Sequence, residues 1–337
     1  MHTPVFAKAI IAVSPPQDAC QSGDFHLLAA FLWAMVFLCL PLALIQQAHA
    51  QNTRTAGDNA VNGESPDAPR AQGQNPNGMH IYIWAGLKSH GPGEHDYPQF
   101  LADWSKLLTE HGAVVDGALH APYAADLDHT DVIVLFKGDA GFLSDSEKTV
   151  LEAYIKRGGG IVSIHDSLCG PDPAYFATLV GGGKKHGQVN YTLGAPLTYK
   201  VVDASNPIMK EMSDFTIFDE AFYKMTWAKD PGIHVLATVV IPDTPVVAKF
   251  SPEWAGKTIP QIWTYEHTLP GGEPARAFVW MQGHTYMNFD NYQIQHMLLR
   301  GIAWAGKKPV DSLVDYVPPP RHFPLGGEFP GHAPANP

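Results

Sequence analysis

The sequence predicts an α/β domain between residues 79 and 307, with a parallel sheet covered by helices on both faces, and three observations predict it. Strand-like and helix-like segments alternate in the order β-α-β-α-β from residue 79 to residue 165. That order builds a parallel sheet, because each helix carries the chain back to start the next strand in the same direction. Residues 131–136 (DVIVLF) and 160–165 (GIVSIH) are nearly continuous apolar runs, suited to strands buried on both faces. Between them, Ser144 followed by Glu147 is a capping box that opens a helix over residues 145–157, and Gly158-Gly159-Gly160 ends it.

The remaining elements follow from local pattern. Residues 79–85 (MHIYIWA) form the first strand and run into a Gly- and His-rich loop. In residues 97–111, Phe100, Leu101, Trp104, Leu107 and Leu108 recur at helical spacing on one face. Residues 113–118 read as a short second strand, and 197–202, 235–240 and 258–264 as later ones. Residues 276–282 (RAFVWMQ) form a strand that ends at Gly283-His284. Residues 290–305 close the domain as a helix with Ile294, Met297, Leu298 and Ile302 as its apolar stripe.

The flanks are of another character. Residues 25–45 are strongly apolar, and Ala48-His49-Ala50 fits a small-x-small cleavage pattern. Residues 1–50 are therefore expected to be a signal peptide, leaving no stable membrane span and a periplasmic or secreted protein. Residues 51–78 lack large apolar groups and read as a disordered linker, and the Pro/Gly-rich residues 308–337 as an extended tail. Removal of residues 1–50 takes Cys20 and Cys39 and leaves Cys169 alone, so an internal disulfide is excluded. A net charge of −11 argues against a nucleic-acid partner. The short basic runs Lys184-Lys185 and Lys307-Lys308 read as solvated corners.

Ligands of parallel α/β sheets sit at the carboxyl ends of the strands. Three such ends carry histidines: His90 and His95 after the first strand, His165 with Asp166 and Ser167 after residue 164, and His284 with Tyr286 after residue 282. Imidazole serves as acid, base or metal ligand near neutral pH, and adjacent glycines admit a ligand close to the backbone. A glycine-rich loop adds His186 but lacks the spacing of a Walker phosphate loop. Asp219-Glu220 beside Phe222 and Tyr223 adds paired acids.

These segments, in this order, resemble the ThuA-like (trehalose-utilisation) family. The similar stretches are the loop from Ala85 to His95, Gly159 through His165, Tyr175-Phe176 through Gly181-Gly182 and His186, and Asn206-Pro207-Ile208. Asp219-Glu220 with Tyr223, and Arg276 through His284 to Trp304-Ala305, complete the set. Asn206 stands where the family usually has His. The resemblance implies a flavodoxin-like, class I glutamine amidotransferase-like three-layer α/β/α sandwich. Relatives of that fold carry a cysteine nucleophile at a strand-to-helix elbow; here the elbow is His165-Asp166-Ser167, and Cys169 lies beyond it. Glutamine hydrolysis by a thiol is not expected.

The family's link to disaccharide and keto-sugar metabolism implies a small-molecule carbohydrate substrate and a functional connection to a sugar oxidoreductase. His165, His186, Glu220 and His284 are the expected acid/base groups, for isomerisation, elimination or hydrolysis of a sugar or keto-sugar glycoside. His90, His95, Tyr223, Tyr286 and Asp166 are the expected substrate-binding groups. A divalent metal such as Zn²⁺, held by His90, His95 and His165, is a compatible second reading. The non-enzymatic alternative is a carbohydrate-binding or scaffold module using aromatics such as Trp84, Tyr97, Tyr191 and Trp263.

Overall fold

The computed structural model describes residue 75 and residues 77–318. The expected signal segment, nearly all of the linker and the tail from residue 319 lie outside the described residues. In chain order the first six strands are β1 (His80–Ala85), β2 (Val114–Ala118), β3 (Val132–Phe136), β4 (Gly160–Ile164), β5 (Cys169–Gly170) and β6 (Gly182–Lys185). They are followed by β7 (Ala195–Val201), β8 (Phe215–Asp219), β9 (Thr226–Trp227), β10 (Ile233–Val240), β11 (Thr258–His267) and β12 (Ala275–Trp280). The helices are α1 (Tyr97–Glu110), α2 (Ala124–Leu127), α3 (Asp145–Lys156), α4 (Pro173–Val180), α5 (Pro245–Phe250) and α6 (Tyr292–Ala305).

A nine-stranded sheet runs in the order β2-β1-β3-β4-β12-β11-β10-β7-β8. Its first five strands are parallel and follow the flavodoxin-like order, with β12 as the fifth. The other four continue the sheet antiparallel. Pleating divides β3 between two cores. Val132, Val134 and Phe136 face the side of α1 and α6, and Ile133 and Leu135 face the side of α3 and α4. Helix α1 buries Phe100, Trp104 and Leu108 at the predicted spacing, each worth about 1.5–3 kcal/mol. The capping box of α3 forms as expected, with the Glu147 amide donating to Ser144 Oγ and the Ser144 amide to Glu147.

Four features depart from the sequence reading. Strand β8 was not expected, nor was the small sheet β5-β6-β9, built from two- to four-residue strands. Residues 310–315 form turns in place of an extended tail; they bury Leu313 and bring Asp311 to Arg300 Nε at 2.7 Å. Lys184 is no solvated corner, being 5% exposed.

The pairing directions bring the carboxyl ends of β1, β3, β4, β12 and β8 to one edge of the sheet. The C-terminus of β11, at His267, therefore lies at the opposite edge.

Candidate functional site

Four strand ends supply one buried cluster. The loop after β1 holds His95 in a left-handed conformation (φ 47°). Its amide donates to the His284 carbonyl at 3.1 Å, and the Tyr286 amide donates to Gly93 at 2.9 Å, so the first and last loops are tied together. His165 follows β4 and is also left-handed (φ 56°), which makes it the elbow residue itself. Non-glycine residues rarely adopt this conformation, and strain of this kind gathers at functional sites. Gly283, at φ 129°, lets the chain turn out of β12 to present His284; a Cβ there would stand 3.1 Å from Phe136 and Phe289.

Glu220 arrives from β8, and Asp219 beside it fixes the assembly. The Asp219 carboxylate accepts from the amides of Glu220, Gly283, His284 and Thr285 and from Asn288 Nδ2, over 2.7–3.3 Å. Gln282 reinforces the same junction, donating to the Glu220 carbonyl at 3.0 Å and to Gln261 at 2.7 Å. Asp219 is thus a structural hub of the site.

Within the cluster, His95 Nε2 lies 2.8 Å from His165 Nε2 and 2.9 Å from His284 Nδ1. Glu220 Oε2 stands 3.6 Å from His284 Nδ1. One ligand atom from each of the four residues falls within 4.8 Å of all the others. All four are buried, His165 completely. Burial, reinforced by His284, His90 and nearby lysines, pushes His95 down to about 2. Burial lowers His165 well below its usual range and lowers His284 as well. Burial raises Glu220 to about 7, with the Lys184 ammonium opposing the rise. The rings are therefore neutral near pH 7, and Glu220 is the group poised to exchange a proton there.

The other expected residues are distributed around this centre. His90, expected among the metal ligands, is exposed and lies at the rim, its ring 4.0 Å from that of His95 and outside the four-residue group. Asp166 pairs with the buried Lys184 at 2.6 Å, and that ammonium sits 3.7 Å from the centre of the Phe222 ring. His186 points elsewhere: it is half-exposed and lies 2.9 Å from Asp139. Tyr223 is fully buried and stacks on Trp254. The Tyr286 hydroxyl donates to Asp103 on α1 at 2.7 Å, away from the imidazoles. Trp263 is core, its Nε1 donating to the Val180 carbonyl. Neither elbow-region nucleophile is armed, since Ser167 Oγ bonds Ser163 Oγ at 2.7 Å and burial raises the Cys169 thiol.

Two groups near the cluster escaped the sequence reading. Lys184 carries a buried charge that its Gly-rich context disguised. Tyr97 was considered only as a stacking aromatic; its ring centre lies 5.2 Å from that of His95, and its buried hydroxyl has no hydrogen-bond partner among the described residues. A cavity of about 690 Å³ opens at the opposite edge of the sheet, beside His267 and Tyr265. It contains none of the converging groups, so the chemistry is assigned to the cluster and not to this hollow.

A family described as ThuA, trehalose utilisation, matches residues 83–305. A ThuA-like protein from Parabacteroides merdae aligns at 18% identity and a TM-score of 0.51, covering 68% of this chain and 91% of that one. Another, from Bacteroides uniformis, aligns at 16% identity and 0.49, over 67% and 91%. A glutamine amidotransferase from Thermotoga maritima aligns at 13% identity and 0.32, over 60% and 75%. No curated protein matches. The match over residues 83–305 takes in all four clustered residues, and it places the chain in the ThuA family, whose membership supports a role in carbohydrate utilisation.

Proposed function

We propose that this protein is an exported enzyme that moves protons on a sugar or keto-sugar at the His95–His165–Glu220–His284 cluster. The observation that carries the reading is the convergence of three imidazoles and one carboxyl from four separate strand ends, in a member of a carbohydrate-utilisation family. The raised carboxyl of Glu220 supports it. Export rests on the apolar residues 25–45 and the Ala48-His49-Ala50 triplet.

A ketone acidifies the C–H bond beside it. Glu220 removes that proton, and the electron pair moves onto the carbonyl oxygen. Where that carbon bears a hydroxyl, transfer of the hydroxyl proton to the former carbonyl oxygen and return of the abstracted proton to the former carbonyl carbon gives isomerisation. Alternatively, the electron pair returns and expels a glycosidic oxygen placed β to the carbonyl, and that oxygen takes up a proton, giving elimination. Either route needs a ketone, so an oxidoreductase acting on the parent sugar is the class of enzyme that supplies the substrate. A divalent metal such as zinc belongs to this reading, and when bound it supplies polarisation of the substrate oxygen.

The test is incubation of the purified protein with glycosides and their 3-keto forms in D₂O, followed by NMR. Turnover or deuterium uptake beside the ketone, abolished in His284→Ala, is the expected result. Tight sugar binding by calorimetry with no turnover of any of them sinks the enzymatic reading and leaves a binding module.

A further inference from the structure

We propose that His95 Nε2, His165 Nε2 and His284 Nδ1 form a three-nitrogen site for one divalent first-row transition metal, with Glu220 beside it as an unligated proton carrier. The inference rests on the reading above only for the role of Glu220; the metal site stands on geometry alone.

The first support is proton bookkeeping inside the cluster. His165 Nδ1 faces the Met281 carbonyl at 3.3 Å. A carbonyl only accepts, so Nδ1 carries the hydrogen, and Nε2 of the neutral ring presents a lone pair to the cluster. His284 lies between two carboxyls, Glu94 3.7 Å from Nε2 and Glu220 3.6 Å from Nδ1, and a hydrogen on Nε2 toward Glu94 leaves a lone pair at Nδ1. His95 Nδ1 lies 3.0 Å from Ser89 Oγ, a hydroxyl that can accept its hydrogen and free Nε2 as the third lone pair. Without a cation, three converging nitrogens share at most one proton. A divalent cation satisfies all three, and neutral imidazole is a preferred ligand for zinc, iron, nickel and copper.

The second support is the surrounding shell. Metal-binding histidines commonly direct the other ring nitrogen to a carbonyl, a carboxylate or a hydroxyl, which fixes tautomer and ring orientation. Here each ring has such a group: Met281 for His165, Glu94 for His284 and Ser89 for His95. Asp219 holds the backbone of His284 from below through the amides of Gly283, His284 and Thr285.

The third support is the form of the coordination set. Three protein nitrogens leave a further position open, as catalytic zinc sites do, whereas structural sites are closed by four ligands. Bonds of about 2.0–2.1 Å in tetrahedral geometry separate nitrogens by about 3.3 Å, so binding spreads the 2.8–2.9 Å contacts by roughly 0.5 Å. The second group able to hold an ion, Asp139, Cys169 and His186, has a half-exposed histidine already paired with its aspartate and a buried thiol held protonated. It serves as the internal control.

The test uses the full-length protein, stripped with chelator and titrated with zinc chloride in the absence of sugar. The expected result is one equivalent bound, with affinity at least tenfold weaker in His165→Ala and in His284→Ala. Glu220→Gln, His186→Ala and His90→Ala should bind within about threefold of the unaltered protein. Ring ¹⁵N shifts should move at His95 Nε2, His165 Nε2 and His284 Nδ1 on zinc addition; this reads the site without substitution, should the variants fold poorly. Absence of those shifts at saturating zinc overturns the proposal, as does loss of binding in His186→Ala with retention in His165→Ala. A Glu220→Gln loss as large as that of His165→Ala overturns the assignment of Glu220 as unligated. Zinc binding without sugar turnover would refute the proposed function alone, and turnover by a protein whose three ring nitrogens show no shift at saturating zinc would refute this inference alone.

Discussion

At the scale of single residues, the cluster depends as much on Asp219 as on the groups that meet there. Its carboxylate accepts from four backbone amides and one side-chain amide, all at the junction of β8 with the loop after β12. Asp219→Ala leaves several buried donors unpaired. It is expected to cost about 3 kcal/mol in urea unfolding and to remove activity with it. His186→Ala, by contrast, is expected to change stability by no more than about 0.5 kcal/mol, because its partner Asp139 is a surface contact. A pH effect arises at the opposite edge, where burial lowers His267 to about 4 and Asp230 opposes the shift only in part. The unfolded chain takes up a proton near pH 6.5 that the folded chain refuses until about pH 4. Stability therefore falls as pH drops through that window. His267→Phe retains a ring over Tyr265 and is expected to flatten this acid limb, as read from urea midpoints at pH 4.5 and 7. His165 and His284 were legible in the sequence because strand ends point to ligand positions, and Glu220 as one of a pair of acids beside aromatics. His95 was read as a substrate-binding group and a metal ligand, outside the acid/base set. Its distance from His165 and His284, 70 and 189 positions along the chain, is set by tertiary structure alone.

At the scale of elements, legibility followed the strength of the local pattern. Helix α3 announces itself through Ser144 and Glu147, and β3 and β4 through unbroken apolar runs. Strand β8 carries no such signal, since its five residues lie between Asp214 and Glu220 and its outer face exposes Phe218. Strand β6 is Gly182-Gly183-Lys184-Lys185, a composition that favours loops, and only its neighbours hold it extended. That is also why Lys184 was read as solvent-facing. Helix α6 gives a case where packing reverses propensity. Alanine normally improves a helix interior over glycine by about 1 kcal/mol. At Gly301, however, a Cβ would stand 2.3 Å from the Phe278 ring on β12. Gly301→Ala is therefore expected to lower the melting temperature, because α6 must lift from the sheet or Phe278 must leave its rotamer.

At the scale of the whole molecule, the sheet direction explains why the site exists. Parallel strands β1, β4 and β12, and β8 after an antiparallel excursion, all end at one edge, so four distant segments deliver polar groups to one point. The alternation of strands and helices made the first half of this arrangement readable, and the resemblance to the ThuA family supplied the expected architecture. The antiparallel extension through β11, β10 and β7 was readable as strands but not as an order, because strand patterns carry no information about neighbours. The central claim is that the four converging residues are one site for proton transfer on a sugar. Its most direct test is deuterium uptake beside the carbonyl of a 3-keto glycoside, measured by NMR for the unaltered protein and for Glu220→Gln. The account predicts uptake or turnover by the former and a loss of about 100-fold or more in a folded Glu220→Gln variant. Uptake undiminished in Glu220→Gln would contradict it.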